Sequence, residues 1–270
     1  MSTTLAEWFG TPLGHYLLNR EQAWFDRTVA DIFGFHAIQV GLAQCPFLAQ
    51  SRIAARWTVD VASPAQVLAD PCWLPFPENS LDLIVLPHAL EFAAEPHQLL
   101  HEVYRAVRPE GQVLIAGFNP FSLFGARRYF GHGESPPWNG SFITLYRLKD
   151  WLALLGFEVT GGGLDCYVPP FTQEKWLSRC GFFEAAGDRW WPISGGVYYL
   201  RATKKVLGMR VITPAWERRK NGLATAPRQA RECIERARAR MSGAAPKIAQ
   251  LHSASGSSAA ATAASAGAHQ

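Results

Sequence analysis

The chain has 270 residues, 48% of them hydrophobic and 18% charged, with a formal net charge of +4, enough apolar material for one sizeable core. No apolar run reaches the roughly 20 residues that a helical bilayer span needs, and the opening MSTTLAEWFG lacks a basic stretch followed by an apolar one, so a soluble, cytoplasmic protein is expected. Cys45, Cys72, Cys166, Cys180 and Cys233 are odd in number, scattered and without a CxxC pair, which signals neither a disulfide framework nor a zinc site.

Taken along the chain, two periods alternate. TPLGHYLLNREQAWFDRTVADIFG reads as an amphipathic helix and belongs to an N-terminal cap over residues 1–34, laid on the sheet or on a ligand pocket. HAIQVG (36–41), LDLIVL (81–86) and GQVLIAGF (111–118) are short, nearly continuous apolar runs, as expected of parallel strands covered on both faces. Between the last two, EPHQLLHEVYRAVRPEG repeats Leu99, Leu100, Val103 and Val107 at helical spacing and stops at Pro109 and Gly111. RLKDWLALLG sets Leu148, Trp151, Leu152 and Leu155 on one stripe and ends at Gly156. FEVTGGG follows, and GVYYLRATKK (196–205) closes the body as a late strand. Strand and helix in alternation predict an α/β doubly wound sheet, whose ligands sit beyond the carboxyl ends of the central strands.

Charge is unevenly placed. Residues 210–270 carry ten Lys/Arg against three Asp/Glu, leaving 16 basic and 19 acidic residues before them. Residues 1–206 therefore read as the folded body and 207–270 as a basic, then low-complexity tail. PRQARECIERARARMS offers the helical pairs Arg231/Glu235 and Glu232/Arg236, and SASGSSAAATAASAGAH has nothing large to bury and reads as disordered. Attraction to nucleic acid is expected only through this tail.

Residues 69–120 narrow the class. Asp70, Leu74-Pro75-Phe76, Glu78-Asn79-Ser80-Leu81-Asp82 and Arg105-Ala106-Val107-Arg108-Pro109-Glu110-Gly111 follow one another in an order and spacing that closely resemble the class I S-adenosylmethionine-dependent methyltransferases, the type 11 group in particular. A weaker likeness extends the resemblance over roughly residues 35–206. It implies a Rossmann-like methyltransferase fold, a mostly parallel seven-stranded sheet with helices on both faces, and S-adenosylmethionine as cofactor.

The same resemblance assigns site residues and shows a departure. Where the family ends its first strand in an acid followed by Gly-x-Gly-x-Gly, this chain has Gln39, Gly41, Ala43 and Cys45. Only Gly41 is kept, and glycine at such a turn allows positive φ and close approach of the backbone to a ligand. RWTVDVASP (56–64) resembles the second strand, whose terminal carboxylate, here Asp60, would accept the ribose hydroxyls. Only nine residues separate Asp60 from Asp70, so a hairpin with an exposed Asp60 is the competing expectation. Asp70 would meet the adenine amino group. Leu86, Pro87 and His88 follow the fourth strand at the rim where the methionine part and the acceptor would meet. Leu86 is a cofactor contact in this reading. His88 is either the base that relieves the acceptor of a proton, oriented by Glu91, or a structural hydrogen-bonding residue.

Acceptor specificity is expected from residues 119–142, with Arg127, Arg128, Tyr129 and Trp138, and from an aromatic insertion over 165–193, read as a lid or as a packing helix. A flat or apolar small-molecule acceptor is implied. Two functions remain open at this point: methyl transfer from S-adenosylmethionine to such an acceptor, or a methyltransferase-fold protein without catalysis that serves as a binding or regulatory module with a basic tail.

Overall fold

Thr11 and Pro12 start the long second helix in the way its sequence dictates. The Thr11 hydroxyl accepts the Gly14 N–H at 3.1 Å while Pro12 occupies the first turn, where a missing N–H costs nothing. The computed structural model describes residues 2–130, 136–170, 192–206 and 235–236. Helix α1 (Ser2–Phe9) meets α2 (Pro12–Ala30) at a tight corner: a Cβ on Gly14 would lie 2.3 Å from the Trp8 carbonyl oxygen. Along α2, Leu13, Leu17, Glu21, Phe25 and Val29 recur every four residues and all are buried.

Seven strands follow: β1 (His36–Val40), β2 (Ala55–Asp60), β3 (Val67–Leu68), β4 (Leu81–Pro87), β5 (Val107–Phe118), β6 (Phe157–Asp165) and β7 (Val197–Lys204). They form one sheet in the order β3-β2-β1-β4-β5-β7-β6. The first five are parallel, and β7 inserts antiparallel between β5 and β6. Helices α3 (Ala89–Phe92), α4 (Pro96–Ala106), α5 (Leu123–Phe130) and α6 (Leu145–Leu155) complete the described body. One sheet face packs against α1 and α2 through Leu83, Val85, Leu114 and Tyr199, and the other against α4 and α6 through Ile84, Leu86, Val113 and Leu200. This is the mostly parallel, doubly covered seven-stranded sheet of the methyltransferase fold.

Two local readings change. Val107, expected on the helix, leaves it after Ala106 (φ −70°, ψ 133°) and pairs with Leu81, because Pro109 cannot continue a helix and biases the residue before it towards extended backbone. The segment after Asp60 is not a hairpin: β3 runs parallel to β2, with Val59 opposite Val67, and Asp60 is only 3% exposed. Residues 41–54, between β1 and β2, run through turns and bends without a helix. Their apolar side chains, Leu42, Phe47 and Ile53 among them, fill the α2 face of the core instead.

The buried Lys204 ties the helix–strand junction to the sheet. Its Nζ donates to the carbonyls of Tyr104 and Val107, both at 2.7 Å, and to Asn79 Oδ1 at 2.8 Å. Lys204→Met keeps the volume but orphans these acceptors, and is expected to cost about 1–3 kcal/mol, read as a lower urea midpoint with an unchanged slope. An unchanged midpoint would mean that the junction finds other donors.

The chain divides into two units at Gly208 and Met209. Of the tail, only residues 235–236 are described, and most of the aromatic insertion, residues 171–191, also lies outside the described residues. Among the described residues no helix is long and apolar enough to cross a membrane. Among the described residues, Cys45, Cys72 and Cys166 form no disulfide with one another.

Candidate functional site

The carboxyl ends of β1, β2 and β4 open into a cavity of about 300 Å³, at the position where ligands of open α/β sheets bind. Gly41, Asp60, Asp70, Pro87 and His88 all line it, and Leu5 of α1 contributes from the N-terminal cap. Leu86 does not line it. It is fully buried on the opposite side of its strand, against Leu90 and Leu99, because alternate residues of a strand face alternate sides of the sheet.

Each polar wall residue is fixed by the local chain. Gly41 leaves β1 with φ +84°, its N–H bonded to the Val59 carbonyl at 2.8 Å, a left-handed conformation that side chains resist. A Cβ there would point towards Ala89 and the Pro87 carbonyl, 3.8 and 4.0 Å away. Asp60 ends β2, and its Oδ1 accepts the Val61 N–H at 2.7 Å. Asp70 is exposed, and its Oδ1 accepts the Cys72 N–H at 2.9 Å. The Leu74-Pro75-Phe76 turn behind it is clamped from α4: Arg105 donates to the Leu74 and Phe76 carbonyls at 3.0 and 2.9 Å, and Glu102 accepts the Leu74 N–H at 3.3 Å. Hydrogen bonding from Arg105 holds the Glu102 carboxyl below its usual range. The sequence block from Asp70 to Arg105 is therefore one mechanical unit that carries Asp70 to the cavity.

His88 is placed otherwise than a free base. It sits in the left-handed region (φ 53°) at the start of α3 and is fully buried. Its Nδ1 lies 2.9 Å from Glu91 Oε2, the contact expected of a residue three positions on. Its Nε2 lies 2.7 Å from Glu21 Oε1 of α2. The second Glu91 oxygen accepts the Phe118 N–H. Burial disfavours the charged imidazolium, but Glu21 and Glu91 outweigh it and raise His88 to about 10. An imidazolium donating through both nitrogens has no lone pair left for an acceptor's proton. The geometry thus favours the structural alternative.

Gln39 explains the altered loop. Fully buried at the position of the family's acid, its Nε2 donates to the carbonyls of Gly41, Leu42 and Cys45 at 3.1, 2.9 and 2.8 Å, and its Oε1 accepts the Phe47 N–H at 3.1 Å. The side chain is spent on closing the loop, and burial above all raises Cys45 beside it to about 11. Sequence reasoning missed Glu21, although a carboxylate inside the Leu13–Leu17–Phe25–Val29 stripe was a visible signal.

Comparison with known proteins agrees with this architecture. Residues 22–115 match the family model described as a methyltransferase domain, type 11. A stretch of 140 residues is 36% identical to the uncharacterized protein YafS of Escherichia coli, covering 50% of this chain and 56% of that one. Another of 117 residues is 30% identical to the malonyl-[acyl-carrier protein] O-methyltransferase of Laribacter hongkongensis, covering 43% and 39%. The chain thus spans about half or less of these curated relatives. Among solved structures, a SAM-dependent methyltransferase from Thermotoga maritima superposes with a TM-score of 0.52 at 16% identity, over 70% of this chain and 93% of that one. One from Archaeoglobus fulgidus gives 0.50 at 18%, over 69% and 94%. At such identities these two speak for the fold. With the strand order, the Asp70–Arg105 unit and the matched segment in agreement, the chain has the class I methyltransferase fold, and its residues 22–115 match the type 11 family.

Proposed function

We propose that the cavity binds S-adenosylmethionine and that the protein transfers a methyl group to a small-molecule acceptor. The observation that carries this reading is the convergence of Gly41, Asp60 and Asp70, from three separate segments, on one cavity at the carboxyl ends of β1 and β2. The residues present fit the cofactor: a bare backbone at Gly41, a buried carboxylate at Asp60 suited to a pair of ribose hydroxyls, and an accessible carboxylate at Asp70 suited to an exocyclic amine. Leu42, Val61, Ala89 and Phe92 supply apolar walls around them. S-adenosylmethionine, when bound, supplies a methyl group on a positively charged sulfur that departs with the bonding pair. The chain's own part is to hold the acceptor in line and to exclude water, with Leu5 and the N-terminal helices closing one side. His88 serves as a rigid wall, so the acceptor is one that needs no deprotonation by the protein, either a neutral nucleophile or a group already ionised at neutral pH.

A second reading, a binding protein that keeps the fold without turnover, is favoured by the Gln39 amide, which occupies the place of the family's acid and draws three loop carbonyls inward. Calorimetric titration with S-adenosylmethionine and S-adenosylhomocysteine separates the two. Micromolar binding is expected, weakened about 10- to 100-fold by Asp60→Asn, the worth of a hydrogen bond to a charged group. No heat and no thermal shift at millimolar cofactor would remove the enzyme reading.

A further inference from the structure

A second groove of about 420 Å³ lies beyond the end of β5, along α5, lined by Pro120, Phe121, Arg128, Tyr129, Phe130 and Phe142 among others. Phe121, Tyr129 and Phe130 are 71%, 84% and 78% exposed, so they serve no core, and clustered exposed aromatics mark binding surfaces. Stacked rings, of which His88 and Phe118 are fully buried, lie between the groove and the cavity: His88, in the cavity wall, stacks on Phe118 at 4.2 Å, Phe118 on Phe142 at 5.1 Å, and the Arg128 guanidinium lies 5.1 Å from the centre of the Phe142 ring. Arg128 donates through Nε to the Trp138 carbonyl at 3.1 Å. Among the described residues no carboxylate pairs with it, so its terminal N–H groups, the fork that binds carboxylates and phosphates, meet no anion among them.

We propose that this groove holds the non-reacting part of an elongated, apolar and anionic acceptor, with the aromatic rings covering its chain and Arg128 gripping its negative charge. The inference rests on the methyl-transfer reading and adds the substrate class. Binding far from the reacting atom positions the acceptor and is expected to appear in KM more than in kcat.

The test uses the full chain and three probes below their micellar concentrations: dodecanoate, dodecanol and dodecyltrimethylammonium. Calorimetry is expected to give saturable binding of dodecanoate, weaker binding of dodecanol and none of the cation. Arg128→Gln should weaken dodecanoate about tenfold and leave dodecanol unchanged, and Phe130→Ser should weaken both. Equal binding of dodecanoate and the cation, or indifference to Arg128→Gln, would overturn the proposal. Binding to phosphatidylglycerol vesicles without saturable binding of the monomeric probe would also overturn it, in favour of a membrane surface. S-adenosylmethionine titrated into Arg128→Gln should bind as in the unaltered protein, so failure of the cofactor reading is read separately from failure of the groove.

Discussion

Gln39→Glu, which restores the carboxylate that relatives of this fold carry at the end of the first strand, is expected to destabilise the protein by about 3 kcal/mol or more and not to tighten cofactor binding. Nε2 of Gln39 donates to three backbone carbonyls in a fully buried pocket. A carboxylate there would set a negative oxygen against those carbonyl oxygens and leave them without a donor, and each buried acceptor so orphaned costs about 1–3 kcal/mol. The loss should be read in urea at neutral pH and should ease in acid, where a protonated Glu regains one donor. If the variant instead kept its midpoint and bound S-adenosylmethionine more tightly, the loop would be adaptable and Gln39 a replaceable neighbour of the cofactor.

His88→Ala is expected to cost about 3–5 kcal/mol or to prevent folding, because it leaves the buried Glu21 and Glu91 carboxylates facing one another without the cation between them. Glu21→Gln and Glu91→Gln, which keep shape and remove one charge each, should cost less. In the unaltered protein the sign follows from the raised value of about 10 for His88. Its contribution is fully present below its unfolded value near 6.5 and is lost as pH rises through 10. Glu91, raised chiefly by burial, acts in the same direction, stabilising in acid and losing its contribution as pH rises. Unfolding midpoints at pH 6, 8 and 10 should therefore fall towards alkaline pH, with the gap to a soluble His88→Ala protein largest at pH 6 and narrowing through pH 8 to pH 10. Parallel curves for the two proteins would show that His88 is neutral in the fold.

Continuous apolar runs such as LDLIVL and GQVLIAGF could be read as buried strands because both faces of a central parallel strand meet helices, and the α4 stripe was legible for the complementary reason. The cavity was legible through residues that a turn or strand end must place, Gly41, Asp60 and Asp70. Asp60 carried two expectations because nine residues are too few for both the helix and the strand that the resemblance implies before Asp70, and the two-residue β3 fits there without the helix. The fates of His88 and Gln39 were not legible: each depends on a partner far away in sequence or on carbonyl directions that no side-chain pattern records. Glu21 and His88 are 67 residues apart. Leu86, expected just past the fourth strand, lies inside β4, where the pleat turns its side chain from the cavity into the core.

The family's matched segment begins at residue 22, one position after Glu21. Leu5, which closes the cavity, and Glu21, which holds the imidazolium, therefore both precede the segment by which kinship is recognised. A chain begun at residue 22 would possess every familial landmark and yet lack a wall of its pocket and half of its buried charge balance. What is inherited as a recognisable pattern and what must be present for the site to exist are different lengths of chain.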